Sequence, residues 1–203
     1  SILSESVRKP GLERWRESLL KQGLDPNKES SAAASLGTEM HSVIEGILRG
    51  QEEVVSLELK PAIDGFMRWL ARDGLQATNV ETEVAVYDAE RGWAGTIDAI
   101  FREPAGLLLI DLKSGSKVYP ESLLQLAAYR SALVSMGCDE PIRCQVVCMT
   151  KDAGEFDGSV EVAEVPAEIE ATWDAVLTLW RFCKADLRTT VIDEVLRSEV
   201  PVA

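Results

Sequence analysis

Residues Leu107 to Lys113, Leu-Leu-Leu-Ile-Asp-Leu-Lys, set four apolar side chains directly before a carboxylate and an ammonium. A short run that is apolar at every position suits a strand buried on both faces, as in a sheet covered by helices. Alternate residues of a strand share a face, so Asp111 and Lys113 project together while Leu112 points the other way. Charge at the end of a core strand is costly unless it is paired or holds a metal. This stretch therefore predicts an α/β fold around a central strand, with a charged cleft where that strand ends.

Upstream, Trp93 to Phe101 reads as a second strand, and Pro104, Ala105 and Gly106 form the turn that folds it antiparallel onto the first. Asp98 then comes to lie near Asp111. From Thr78 to Tyr87, Val80, Thr82, Val84 and Val86 alternate with Glu81, Glu83, Ala85 and Tyr87, which predicts a strand with one polar face, joined through a hairpin at Asp88 to Gly92. Two carboxylates and a lysine form a hard-oxygen site for Mg²⁺ or Mn²⁺. The lysine argues against a structural calcium cage. Such a metal polarises a phosphoryl oxygen and acidifies water, and Lys113 is placed to orient that water or stabilise developing negative charge. The reaction class is phosphodiester hydrolysis.

The helices follow from periodicity and punctuation. Ser1 to Ser6 reads as a strand or turn. Pro10 opens a helix to about Gln22, with Leu12, Trp15, Leu19 and Leu20 as its apolar stripe, Arg14 and Arg16 on its solvated side, and Gly23 as its stop. After a polar loop from Asp25 to Ser31, Ala32 to Arg49 predicts a helix that places Thr38, His41, Glu45 and Leu48 along one side. A third helix starts near Pro61 and ends at Gly74. Its Trp69 reads as core rather than as a base-stacking platform. Beyond Lys113, the loop Ser114-Gly115-Ser116-Lys117 offers hydroxyls, backbone N–H groups and an ammonium as a phosphate seat. The next helix runs from Pro120 to Met136 with Gln125 and Tyr129 one turn apart. Ile142 to Thr150 reads as a core strand and Ser159 to Val165 as an edge strand, separated by the turn-rich segment Lys151 to Gly158. Pro166 opens a long helix carrying Ile169, Trp173, Val176, Leu177, Trp180 and Phe182 as a core stripe, and Leu187 to Leu196 predicts a short final helix.

Taken in order, Gly95-x-x-Asp98, Asp111-x-Lys113 and Gln125-x-x-x-Tyr129 resemble the motifs of the PD-(D/E)xK nuclease superfamily, RecB-like branch. His41, on a helix upstream of the sheet, stands where that branch carries a histidine ligand. The element order is similar to RecB-like exonucleases of phages and to the mitochondrial genome maintenance exonuclease, over roughly residues 2 to 180. The resemblance implies a restriction-endonuclease-like core with a mixed central sheet flanked by helices, and a metal-dependent DNA exonuclease of recombination, replication or repair. It implies His41, Asp98, Asp111 and the Leu112 carbonyl as metal ligands, and Lys113 as the residue that assists the attacking water. Gln125 and Tyr129, with Ser114 and Lys117, are implied to bind substrate. Glu83 matches the family's strand glutamate, supporting the metal or the water; read from the residues alone, it is equally an exposed edge-strand acid. The alternative is a non-catalytic nucleic-acid or protein-binding module on the same fold.

The chain of 203 residues suits a single domain, with a helical lobe over 1–75, a catalytic sheet and helices over 76–186 and a tail over 187–203. Its formal net charge of −13 opposes non-specific binding to a polyanion. Local cation from a metal and a cluster of Arg8, Lys9, Arg14, Arg16, Lys113, Lys117 and Arg130 at one cleft would offset it. DNA, single-stranded or with free ends, is the expected partner, together with a recombination or replication protein. The cysteines, Cys138, Cys144, Cys148 and Cys183, contain no Cys-x-x-Cys pair, and no cysteine precedes Cys138. The flanking spacing of the iron–sulfur clusters found in some RecB-like nucleases is not met, so reduced thiols without a cluster are expected. Neither a membrane-spanning run nor a signal-peptide pattern is seen, and a cytoplasmic location is expected.

Overall fold

The computed structural model describes residues 2–7, 9–152 and 155–185. In chain order it contains α1 (Ile2–Ser6), α2 (Pro10–Lys21), α3 (Pro26–Leu48), α4 (Lys60–Arg72), a 3₁₀ turn (Ala77–Asn79), β1 (Val80–Asp88), β2 (Trp93–Glu103), β3 (Gly106–Gly115), α5 (Pro120–Ser135), β4 (Ile142–Asp152), β5 (Glu155–Glu164) and α6 (Ile169–Lys184). The five strands form one mixed sheet in the order β1-β2-β3-β4-β5. Only β3 and β4 run parallel, linked through α5 as a β-α-β crossover. Strand β3 is thus the central strand that its sequence predicts, and Leu107 to Leu112 are buried without a break.

Helices cover both faces. The second half of α3 and all of α4 pack Met40, Val43, Ile44, Phe66 and Trp69 against Phe101, Leu108, Ile110, Val147 and Met149. On the other face, Leu126, Ala127 and Ala132 of α5 pack against Ile97, Leu109, Cys144 and Val146. A smaller cluster, Leu124 and Ala128 with Trp173 and Leu177, lays α6 over α5. Among the described residues no helix is long and apolar enough to cross a membrane.

Several elements differ from the sequence reading. Residues 2 to 6 are helical rather than a strand or turn. The polar stretch expected as a loop is the first part of α3, because Asp25 caps the helix through its side chain to the Asn27 N–H and Pro26 occupies its first turn. Within Lys151 to Gly158, expected as turn-rich, β4 continues to Asp152 and β5 begins at Glu155, with Lys151 paired to Phe156. Phe182, counted in the core stripe of α6, is exposed, as are Leu12, Trp15 and Leu20 of α2, where only Leu19 is buried. The helix expected over Leu187 to Leu196 lies outside the described residues, as does Arg8.

The alternation of β1 also breaks. Val80 packs on the α3/α4 side, whereas Val84 and Val86 pack on the α5 side; across the ladder, Ala99 and Phe101 belong to the first side and Ile97 to the second. Residues of equal parity therefore reach opposite faces, and the exchange falls where Glu83 and Asp98 stand opposite each other. Glu83 has φ 53°, the non-glycine residue with positive φ among the described residues, and this left-handed step kinks the strand pair.

Candidate active site

Strands β2 and β3 are paired only from Ala99–Ile110 to the Glu103–Gly106 turn, where Gly106 has φ 135° and the Pro141 carbonyl leaves no space for a Cβ. Beyond Ala99 the kink steers β2 away, and the Asp98 side chain replaces the lost ladder bond by accepting from the Leu112 N–H at 2.6 Å. That leaves a notch beside β3 where charged groups gather. His41 approaches from α3, with Nδ1 at 3.7 Å from Asp98 Oδ1. Leu112 itself turns its side chain into the core, as alternation requires, and meets the notch through its backbone.

Asp111 lies at the bottom, only 1 % exposed. Lys113 Nζ donates to its Oδ1 at 2.9 Å and sits 2.8 Å from its Oδ2, but off the line of a hydrogen bond to Oδ2. Both oxygens of this buried carboxylate thus depend on one ammonium. Burial pushes the Asp111 carboxyl up to about 7, against the pull of the Lys113 ammonium and with a further push from Asp98. Burial by itself would lower Lys113; attraction to Asp111 outweighs it, and the ammonium is held above its ordinary range. Glu83 is raised as well, by burial first and then by Asp98 and Glu45. Asp98 thus raises both Asp111 and Glu83, so acidic groups crowd the notch around the Lys113 ammonium.

From the α5 side, Lys113 Nζ also donates to Gln125 Oε1 at 3.3 Å, and Gln125 Nε2 donates to Tyr129 Oη at 2.9 Å. Tyr129, its pKa raised by burial, stands against Gly95 of β2, where an added Cβ would stand 2.4 Å from Cε1 of the ring. The Gly-x-x-Asp and Gln-x-x-x-Tyr segments therefore fit into one another. Glu45, one turn beyond His41, bonds Arg49 at 2.6 Å, and Arg49 bonds Thr82 at 2.8 Å, tying α3 to β1 just before the kink.

A cleft of about 1270 Å³ opens beside this cluster, between α1 and α2 on one side and the loop from β3 to α5 on the other. Lys113, Gln125 and Tyr129 reach it, and so do Ser114 and Lys117; His41, Asp98, Asp111 and Glu83 do not. Of the basic residues expected at one cleft, Lys9, Arg14, Lys113 and Lys117 line it. Arg16 bonds Asn27 instead. Arg130 is buried and holds the turn before α6, donating to the carbonyls of Val165, Pro166 and Ala167 and to Glu170, so it is structural. Trp15 and Tyr119 also line the cleft. Trp15 reads from the sequence as part of an apolar stripe, and Tyr119 carries no signal beyond being an aromatic before a helix-opening proline.

The donor set fits a hard divalent cation: the carboxylates of Asp98 and Asp111 with the imidazole of His41. Among the described residues, no three His, Cys, Asp or Glu side chains converge into a ready-made cage, since Lys113 occupies Asp111 and His41 faces Asp98. The four cysteines are unbridged; Cys144 and Cys148 are buried in β4, and Cys183 is exposed.

No protein-family model matches the sequence, and no curated protein matches it. Among solved structures, the one described as "Crystal structure of SSO0001" is similar at a TM-score of 0.47 and 16% identity, over 91% of this chain and 76% of that one.

Proposed function

We propose that this chain is a divalent-metal-dependent deoxyribonuclease, acting as an exonuclease, on the PD-(D/E)xK fold of the RecB-like branch. The observation that carries the reading is the nearly fully buried Asp111 carboxylate, ion-paired to Lys113 and set beside Asp98 at the edge of the central strand. A buried carboxylate held by a single ammonium, with a second carboxylate beside it, costs free energy that a divalent cation would recover.

Asp98, Asp111 and His41 would hold the metal, with the Leu112 carbonyl as the backbone ligand that the family resemblance implies. When bound, Mg²⁺ or Mn²⁺ supplies Lewis acidity toward a phosphoryl oxygen and acidifies water. Lys113, at the mouth of the notch, would orient the attacking water and face the phosphoryl oxygens. Gln125 fixes the direction of that ammonium and is itself fixed by Tyr129, so the pair acts as a positioning relay. Ser114 and Lys117 border the cleft where a phosphate would enter. Glu83 adds a third carboxylate at the kink, supporting the metal or its water.

The test is cleavage of end-labelled single- and double-stranded DNA with Mn²⁺, Mg²⁺ or EDTA. Degradation in Mn²⁺, abolished by EDTA and by Lys113→Ala and reduced by His41→Ala, is the expected result. No cleavage with either metal, together with no Mn²⁺ uptake in calorimetry, would leave a binding module on the same fold.

A further inference from the structure

The apolar stripe of α2 is an amphipathic face with little to pack against. Leu12 is 46% exposed, Trp15 37% and Leu20 64%, and only Leu19 is buried. Leu12 and Trp15 turn into the cleft. Across it stands Tyr119, 40% exposed, with Lys117 Nζ 5.4 Å from its ring centroid. Lys9 and Arg14 of α2 line the same space, which ends at Lys113. Glu5 and Glu121 are the acids of the same lining, so cations outnumber acids there in a chain of net charge −13, beside two partly exposed rings.

Lys9 also binds Glu121 at 3.1 Å, tying the start of α2 to the start of α5 and bridging the cleft. Small residues of α3, Ser30 and Ala33, border it where larger ones would fill it. An apolar helix face alone has no stated occupant, but rings interleaved with cations and leading to a phosphodiester site match one chemistry: a strand with a charged backbone and unpaired base faces. A duplex keeps its base faces stacked inside and offers nothing to these rings.

We infer that Trp15 and Tyr119 are base-stacking residues that select an unpaired nucleic-acid strand and lead it past Lys9, Arg14 and Lys117 to Lys113. The inference rests on the nuclease reading for its direction, not for the stacking itself.

Fluorescence anisotropy tests it, using the Lys113→Ala protein with Mn²⁺ so that the strand survives. The probes are a labelled oligothymidylate, an abasic oligomer of equal length and a blunt duplex. Oligothymidylate is expected to bind about tenfold or more tightly than the abasic strand. Trp15→Ala and Tyr119→Ala are each expected to weaken oligothymidylate binding by about five- to 100-fold and collapse that preference. Trp15→Phe, which keeps a ring, retains most of it and separates stacking from misfolding. Equal affinity for the abasic strand, preference for the duplex, preference that survives both alanine variants, or no binding to any probe would each overturn the inference. The companion assay is cleavage by the native protein. Cleavage without base preference removes stacking and keeps the nuclease, whereas stacking without cleavage does the reverse.

Discussion

Gly95→Ala places a methyl group where the Tyr129 ring already lies. The added Cβ would meet Cε1 at 2.4 Å and Cζ and Oη at 3.1 Å, against 3.4 Å for ordinary contact, so ring and strand must separate by about 1 Å. The ring is no flexible chain end; it is held by Gln125 at 2.9 Å, and a 1 Å retreat takes that bond beyond hydrogen-bonding range. Overpacking of this kind costs about 1–3 kcal/mol. For a chain of this size that lowers Tm by about 2–4 °C per kcal/mol. Gln125 then loses its anchor and Lys113 its direction, so metal-dependent cleavage is expected to fall by about tenfold or more, the scale set by misplacement near 1 Å. Thermal unfolding and initial cleavage rates are measured for Gly95→Ala, Tyr129→Ala and the double variant. Because the clash needs the ring, Gly95→Ala should cost almost nothing further in the Tyr129→Ala background, a coupling of about 1–3 kcal/mol. An unchanged Tm for Gly95→Ala alone, or the same loss in both backgrounds, would refute the argument that these two segments are locked by contact.

Glu83→Gly removes the strain of a left-handed glutamate, so urea denaturation of the metal-free protein should show a gain of about 1 kcal/mol, while cleavage in Mn²⁺ declines. Arg130→Met leaves carbonyls at Val165, Pro166 and Ala167 without their donor and should cost about 3 kcal/mol or more by the same measurement; a loss below 1 kcal/mol would show that water replaces the guanidinium. In thiol labelling at pH 8, Cys183 should react first. Burial pushes Cys144 up to about 12 and Cys148 to about 11, so little thiolate forms below those values and both should stay protected until the protein is unfolded.

The central strand was legible because burial on both faces leaves an uninterrupted apolar run, and Leu107 to Leu112 is one. Helix α5 was legible from Pro120 and Gly137, and the shared side of Gln125 and Tyr129 from their spacing. These are local properties, governed by backbone geometry within one element. Three features of the site were not local. The kink at Glu83 and Asp98 moves Val80 and Val84 to opposite faces although their alternation is unbroken, because one left-handed residue reverses parity and nothing in the side-chain pattern marks it. Trp15 and Leu12 carry the pattern of a packed stripe, yet whether such a stripe finds a partner depends on what other elements present, and here they border a cleft. Gly95 could be read as a motif glycine, but its reason, the ring of Tyr129 pressed on its Cα from a helix 34 positions later in the chain, exists only once β2 and α5 are stacked. Residue types and their order determined the elements and put two acids, a histidine and a lysine within reach of one strand end. Tertiary packing decided which acid is buried, which ring meets which glycine and which apolar face stays open, since those depend on distances between segments far apart in sequence.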